Sequence, residues 1–386
     1  MKILITSMFY KKSFGQGLCA EKLAEFLSKK HKVSVFHSEK KDFKAKKNLM
    51  IKRINSSKTK GMDILSFSFN LRNELIKKND FDVIYSQDYS FGLVDFEELN
   101  CPVVYHARGT VKGNSLNRPK TELKTELMRK IAIPLMEKMD QRCCQKAKTV
   151  IAASETIKKE IENYYEIKGK KIKVVSDGVD LHKFSKTKTI LIKAKKLKKK
   201  LKLENKKVIL FAGRLVPQKG IIYLIKAMEK IVKKIPNAVL LIAGTNTSEN
   251  YKKILEKEIN KSSLGKQIKF LGYVKQEKMP ELIEASDLIA SPSTYEPIGI
   301  INIEAIAMNK PVIIPKTIGS IELLKESALI VNPKNSAGIA KTIIKIFSSK
   351  KVYKKLSFNG RKNAVKAEWN KIGKEVEKIL KENKNE

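Results

Sequence analysis

Phe211-Ala-Gly-Arg-Leu-Val-Pro-Gln-Lys-Gly220 follows an apolar run at 208–212 and precedes an amphipathic helical pattern, so it reads as the turn from a buried strand into a helix. In open α/β sheets such a turn lies at the carboxyl end of its strand, where ligands bind, and its free amides suit an anion. Two cations flank it. Arg214 can grip phosphate oxygens with a forked guanidinium, and Lys219 can add a point charge. A surface pair without function is the competing reading, and in a Lys-rich chain Lys219 alone means little. Arg214 says more, because only 8 of the 80 cationic residues are Arg and this one follows Gly213 at a strand end.

Outward from this turn the same alternation of short β-rich run, loop and amphipathic helix repeats. Strands are expected over 208–212, 239–243, 268–271, 288–290, 312–315 and 329–331, and in the first half over 2–6, 33–36, 83–85, 103–105, 150–152 and 172–175. The fold class is therefore α/β, with two doubly wound parallel sheets in tandem. A chain of 386 residues suits two such domains, placed at 1–184 and 185–368. Residues 38–60 are basic and weakly patterned, and the Lys-dense tract at 194–202 suggests a short surface helix opening the second half.

The formal charge is +40, yet the basic residues recur on nearly every expected helix instead of forming one tail. A solvated lysine surface fits this spread best, attraction to an anionic membrane comes second, and nucleic acid is disfavoured. Cys19, Cys101, Cys143 and Cys144 lack metal-ligand spacing, which fits reduced thiols in a cytoplasmic protein. No stretch approaches eighteen consecutive apolar residues, so any membrane contact, such as at the inner face, would be peripheral.

In Ser293-Thr-Tyr-Glu-Pro-Ile-Gly-Ile-Ile-Asn-Ile-Glu304 two carboxylates bracket an apolar segment. If a helix begins near Ile300, Glu296 lies in the loop at its positive end and Glu304 about a turn inside. A carboxylate can accept from two vicinal hydroxyls of a sugar, and the amides of Gly299 and Ile300 suit phosphate. A loop and buried helix with two incidental acids is the alternative. Gly15-Gln-Gly17 ends the first strand without the spacing of a dinucleotide fingerprint, so it serves either an anion or only a tight turn. His106 stands at another strand end, structural or functional. Asp80 and Asp82 precede their strand, at the end opposite the expected ligands, and are not read as a metal site.

Glu296-Pro-Ile-Gly-Ile-x3-Glu304-Ala, together with Gly213-Arg214-x4-Lys219-Gly220, resembles the retaining GT-B glycosyltransferases of family 4. The resemblance extends through Gly15 to Leu27, Asp177-Gly-Val-Asp180-x3-Phe184, Gly272-Tyr-Val274 and the tail around Trp369. It implies two Rossmann-like domains facing across a cleft, with the last helix, 369–386, crossing back to the first. It further implies transfer of a hexosyl unit from a nucleoside diphosphate sugar to a hydroxyl acceptor, lipid-linked or glycan, with no cofactor and no protein metal site. Arg214 and Lys219 would bind the diphosphate and Glu304 the ribose. Glu296 with the backbone of Ile298, Gly299 and Ile300 would hold the moving sugar, and Val274 would meet the base through its backbone. Gly17 would lie near the phosphates and His106 near the reacting centre, with the acceptor on the first domain. Gln16, Ala107 and Ser176-Asp177 depart from the family's usual glycine, acid and Pro-Asn. Two other readings remain open: a nucleotide-sugar epimerase on a similar scaffold, and a noncatalytic protein binding nucleic acid or membrane.

Overall fold

The structure is a computed structural model that describes all residues except 11–14, 41–42, 58, 60–61, 78–79, 118–122, 246–248 and 385–386, and only the backbone of 123–129. The chain forms two compact units. The first comprises most of 1–178 and returns with 369–386, and the second comprises chiefly 179–368.

Among the described residues of the first unit, seven strands pair in parallel in the order β3-β2-β1-β4-β5-β6-β7. They are β1 Lys2–Ser7, β2 Lys32–His37, β3 Leu49–Arg53, β4 Val83–Ser86, β5 Val103–Ala107, β6 Thr149–Ala152 and β7 Ile172–Val174. Leu4, Phe36, Ile84, Tyr105 and Val150 face one core, shared with Phe67 and Leu71 of the helix Met62–Lys77. The helices Gln16–Leu27 and Trp369–Asn383 pack against each other within this unit. His31 and Glu377 pair at 2.9 Å, and the Trp369 ring covers Gly178 so closely that an added Cβ would lie 2.5 Å from it.

β3 lies within the stretch left unread at 38–60. It is an edge strand in which Leu49 is buried and Lys52 and Arg53 are exposed, so its short apolar run, Leu49-Met50-Ile51, passes directly into cations within a basic stretch. At the other end of the sheet Asp82 accepts the Lys2 backbone N–H at 2.7 Å, and Asp80 accepts from Lys2 Nζ at 2.6 Å. Both acids thus brace the start of β1.

In the second unit six parallel strands follow the order β10-β9-β8-β11-β12-β13. They are β8 Lys207–Ala212, β9 Ala238–Ala243, β10 Ile268–Gly272, β11 Leu288–Ala290, β12 Val312–Pro315 and β13 Ala328–Val331. Ile209, Phe211, Leu240, Ile242 and Leu288 meet Leu224, Ile225 and Met228 of the helix Ile221–Lys234 in a single core. The passage between units falls at Gly178/Val179, earlier than the expected 184/185. The reason is local: Val179 N–H donates to Ala367 O at 2.7 Å, and Arg361 donates to the carbonyls of Phe184 and Leu181, tying 179–184 to the second unit.

Gly220 marks a very tight approach between the loops after β8 and β11. Its φ is 68°, and a Cβ there would come 1.8 Å from the Pro292 carbonyl oxygen. Gly220→Ala is expected to cost more than about 2 kcal/mol and to lower the melting temperature by several degrees, measured by calorimetry.

Candidate active site

Direction of winding reverses between β8 and β11, the point at which an open α/β sheet leaves a crevice at its carboxyl edge. The loops leaving these strands are locked to each other: Thr294 donates to the Gln218 carbonyl from its N–H at 2.8 Å and from its hydroxyl at 3.2 Å. That lock brings Lys219 Nζ to 2.5 Å from Glu296 Oε2, and the Ser293 hydroxyl donates to the same oxygen at 3.1 Å. Lys219 and Glu296, expected to serve different parts of one ligand, are thus bonded to each other.

The backbone after Glu296 is held from residues 319–320. Gly319 N–H donates to Glu296 O at 3.0 Å, and the Ser320 hydroxyl donates to the carbonyl of buried Ile298. Gly299, with φ 79°, then caps the helix Ile300–Ala307, and its carbonyl accepts from the Asn302 N–H at 2.9 Å, while the amides of Ile300 and Ile301 precede the helix's own ladder. Glycine is favoured there because that φ strains any L side chain, and a Cβ would also lie 2.6 Å from Ile318 Cδ1. Next to this turn Asn302 is fully buried, and neither amide atom has a hydrogen-bond partner among the described residues.

One helical turn inside, Glu304 Oε1 accepts from Gln276 Nε2 at 2.5 Å. Burial pushes the Glu304 carboxyl up to about 7, opposed by the Gln276 hydrogen bond and the charge of Lys183. Gln276 follows Val274 by two residues, so the loop after β10 reaches Glu304 through Gln276. The loops after β8, β9 and β10 are linked in turn by Gly213 N–H to Ala243 O and Gly244 N–H to Gly272 O, at 2.9 and 2.8 Å. Arg214 is exposed on the first of these, with no acidic partner within 4.0 Å among the described residues. Sequence reasoning missed Gln276, Ser293, Asn302 and Ser320. Asn302 had a signal, a polar residue inside an apolar run, whereas Gln276 sits in a polar loop like any solvated side chain.

Gly17 and His106 belong to the first unit. Gly15 takes the left-handed turn, with φ 67°, and Gly17 is buried in the first turn of the helix, which starts at Gln16. Gln16, the departure from the family's glycine, donates to Gln87 O and to Asp88 Oδ2, both at 2.7 Å. His106 is 1% exposed, and its Nδ1 is 2.6 Å from the Tyr85 hydroxyl. Burial and the Arg108 guanidinium hold its pKa well below the usual imidazole range, with the Val175 backbone opposing, so the ring is neutral. Arg108 Nε donates to Asp177 Oδ1 at 2.9 Å, with Asp177 buried and Arg108 nearly so. Asp177 in place of the family's Asn is thereby explained, since a buried guanidinium requires a counter-charge.

Two family profiles match the chain in tandem: "Glycosyltransferase Family 4" over residues 15–183 and "Glycosyl transferases group 1" over 193–363. The fold is of the GT-B class. The chain belongs to glycosyltransferase family 4. It is 32% identical over 238 residues to an uncharacterized glycosyltransferase of Methanocaldococcus jannaschii, covering 60% of this chain and 59% of that protein. It is 33% identical over 205 residues to the putative glycosyltransferase YtcC of Bacillus subtilis, covering 50% and 49%. The chain thus spans about half to three-fifths of the length of these two relatives. Among solved structures, Anabaena HepE in complex with UDP and glucose superposes with a TM-score of 0.79 at 21% identity, over 99% of this chain and 100% of that one. The epimerase and noncatalytic readings are not favoured by these matches.

Two outcomes follow from the charges. Glu304 has a folded pKa above its ordinary 4.5, so the folded state binds the extra proton, and stability from this group falls as pH rises from about 4.5 to about 7. Glu304→Gln should therefore stabilise the protein at pH 8 by an amount of the order of 3 kcal/mol, and by little at pH 4. A pH-independent difference in melting temperature would contradict this. Asp177→Asn should destabilise by about 3 kcal/mol by stranding Arg108, and Arg108→Met in the same chain should recover most of the loss in urea unfolding.

Proposed function

We propose that the protein transfers a hexosyl unit from a nucleoside diphosphate sugar to a hydroxyl acceptor with retention at the anomeric carbon. The observation that carries this reading is the convergence, at the β8/β11 switch point, of exposed Arg214, the Lys219–Glu296 pair, the Gly299 helix cap and buried Glu304. That set has a cationic part for a diphosphate and two carboxylates for hydroxyls. Arg214, Lys219 and the amides at Gly299 and Ile300 stabilise the departing diphosphate electrostatically, taking the place of a metal ion.

In the transfer the bond from C1 to the diphosphate oxygen breaks and the acceptor oxygen bonds to C1 on the same face. The acceptor proton passes to the departing phosphate oxygen, so no protein base is needed. Glu296 then positions the sugar and does not act as a nucleophile. Glu304, held by Gln276, accepts from the ribose hydroxyls through its other oxygen. Val274 contributes backbone to the base, and Gly17 and neutral His106 are candidate residues of the first unit, to which the acceptor is assigned. HepE, with UDP and glucose bound, supports a nucleotide-sugar donor.

A screen of labelled UDP-, GDP- and ADP-sugars with glycan and lipid acceptors tests the reading, with NMR of the product reporting its anomeric configuration. An inverted product would overturn the mechanism, and free sugar epimer would replace the reaction class. With the donor so found, Lys219→Ala and Glu304→Ala should each weaken its binding about tenfold or more by calorimetry, as loss of a charge-assisted contact does. Unchanged affinity in both variants would sink the site.

A further inference from the structure

The helix Lys188–Lys200 opens the second unit's main chain path into β8, and it is longer than the short segment expected at 194–202. From Lys186 to Lys202 there are nine lysines and no carboxylate. Its outward face nevertheless carries Leu191 and Ile192, 45% and 56% exposed. Where this helix meets the end of β10 and the helix Met279–Ala285 there is a groove of about 460 Å³. Its floor is apolar, with Leu197, Leu271 and Leu282. Along one wall stand Lys193, Lys196 and Lys200, at the spacing i, i+3, i+7 that stacks side chains on one helix flank over about 10 Å. None of the three has an acidic partner within 4.0 Å among the described residues, while the single acid of the groove, Glu281, is paired with Lys278 at 3.5 Å.

We infer that this groove and the outer face of the helix Lys188–Lys200 form a docking surface for an anionic phospholipid membrane. The lysine row meets headgroup phosphates, the leucine floor covers the apolar part of one lipid, and Leu191 and Ile192 enter the interface. A nucleic acid would use the lysines but gain nothing from the exposed Leu191 and Ile192 or from a leucine floor. The whole surface is Lys-rich, so the charge alone is not distinctive. The local features are an acid-free row and an apolar channel on the same helix. Val274, assigned to the base through its backbone, also lines the groove, so the two sites adjoin; Arg214, Lys219, Glu296 and Glu304 do not line it, and vesicle binding is read without any sugar transfer.

The full chain is sedimented with vesicles of phosphatidylglycerol and phosphatidylcholine, and with phosphatidylcholine alone, at about 0.1 M salt, where exposed charges still act over roughly 10 Å. Binding is expected only with phosphatidylglycerol. Each lysine at an anionic leaflet multiplies binding roughly fivefold, so K193E/K196E/K200E should weaken it at least tenfold. K341E/K345E/K355E changes the net charge equally on other helices and should weaken it much less. Leu191→Ser with Ile192→Ser should also weaken binding without any change of charge. Melting temperatures within a few degrees of wild type identify variants that have folded. Absence of wild-type binding, equal losses in the two lysine triples, or no effect of the Leu191/Ile192 change would each overturn the inference.

Discussion

The parallel pairing of β11 with β8, Leu288 beside Ile209 and Ile289 beside Leu210, is the constraint on which the second unit's chemistry depends. Those two residue pairs fix where the two following loops begin. The loops then close on each other through Thr294 and Gln218 and through the Gly220–Pro292 approach. Lys219 and Glu296 are 77 positions apart in the chain, and neither is placed by its own local structure. Their contact is a product of sheet order, and any slip of β11 along β8 would separate them.

Most of the architecture was legible because inner parallel strands are buried on both faces and read as short apolar runs between helical patterns. Among the described residues, twelve of the thirteen strands are expected from apolar runs, the edge strands β7, β10 and β13 included. The edge strand Leu49–Arg53 is not, because its Leu49-Met50-Ile51 run leads straight into Lys52 and Arg53 within a basic, weakly patterned stretch. The boundary at Val179 was also unreadable, because it is set by Arg361 reaching back from a distant helix. In the candidate site, Arg214 and the two glutamates stood out by residue type and position. Gln276 was invisible, because its importance lies in the partner it finds and not in its sequence neighbourhood. The bond between Lys219 and Glu296 was likewise beyond reach, since composition gives no account of distance.

Buried charge is handled differently in the two units. In the first, Asp140 is fully enclosed and accepts from the hydroxyls of Tyr105 and Tyr165 and from the Val111 N–H, at 2.6, 2.6 and 2.8 Å. That carboxyl has both oxygens occupied and serves as a fastener between elements. Glu304 has one oxygen on Gln276, and its charge is costly as it stands. A carboxylate left in that condition is one whose hydrogen bonding is incomplete without a further donor, the opposite of a group that only holds the fold together.

The Lys219–Glu296 contact gives the site a property that a row of bare cations would lack. An incoming simple anion, such as inorganic phosphate, must draw Lys219 away from Glu296 and leave that carboxylate, among the described residues, with the Ser293 hydroxyl as its side-chain partner. A molecule that carries phosphate at one end and hydroxyls at the other can repay both halves of the pair at once. Under the proposed assignment, the resting pair therefore acts as a discriminator: it penalises the abundant small ions of the cell and rewards a two-part ligand.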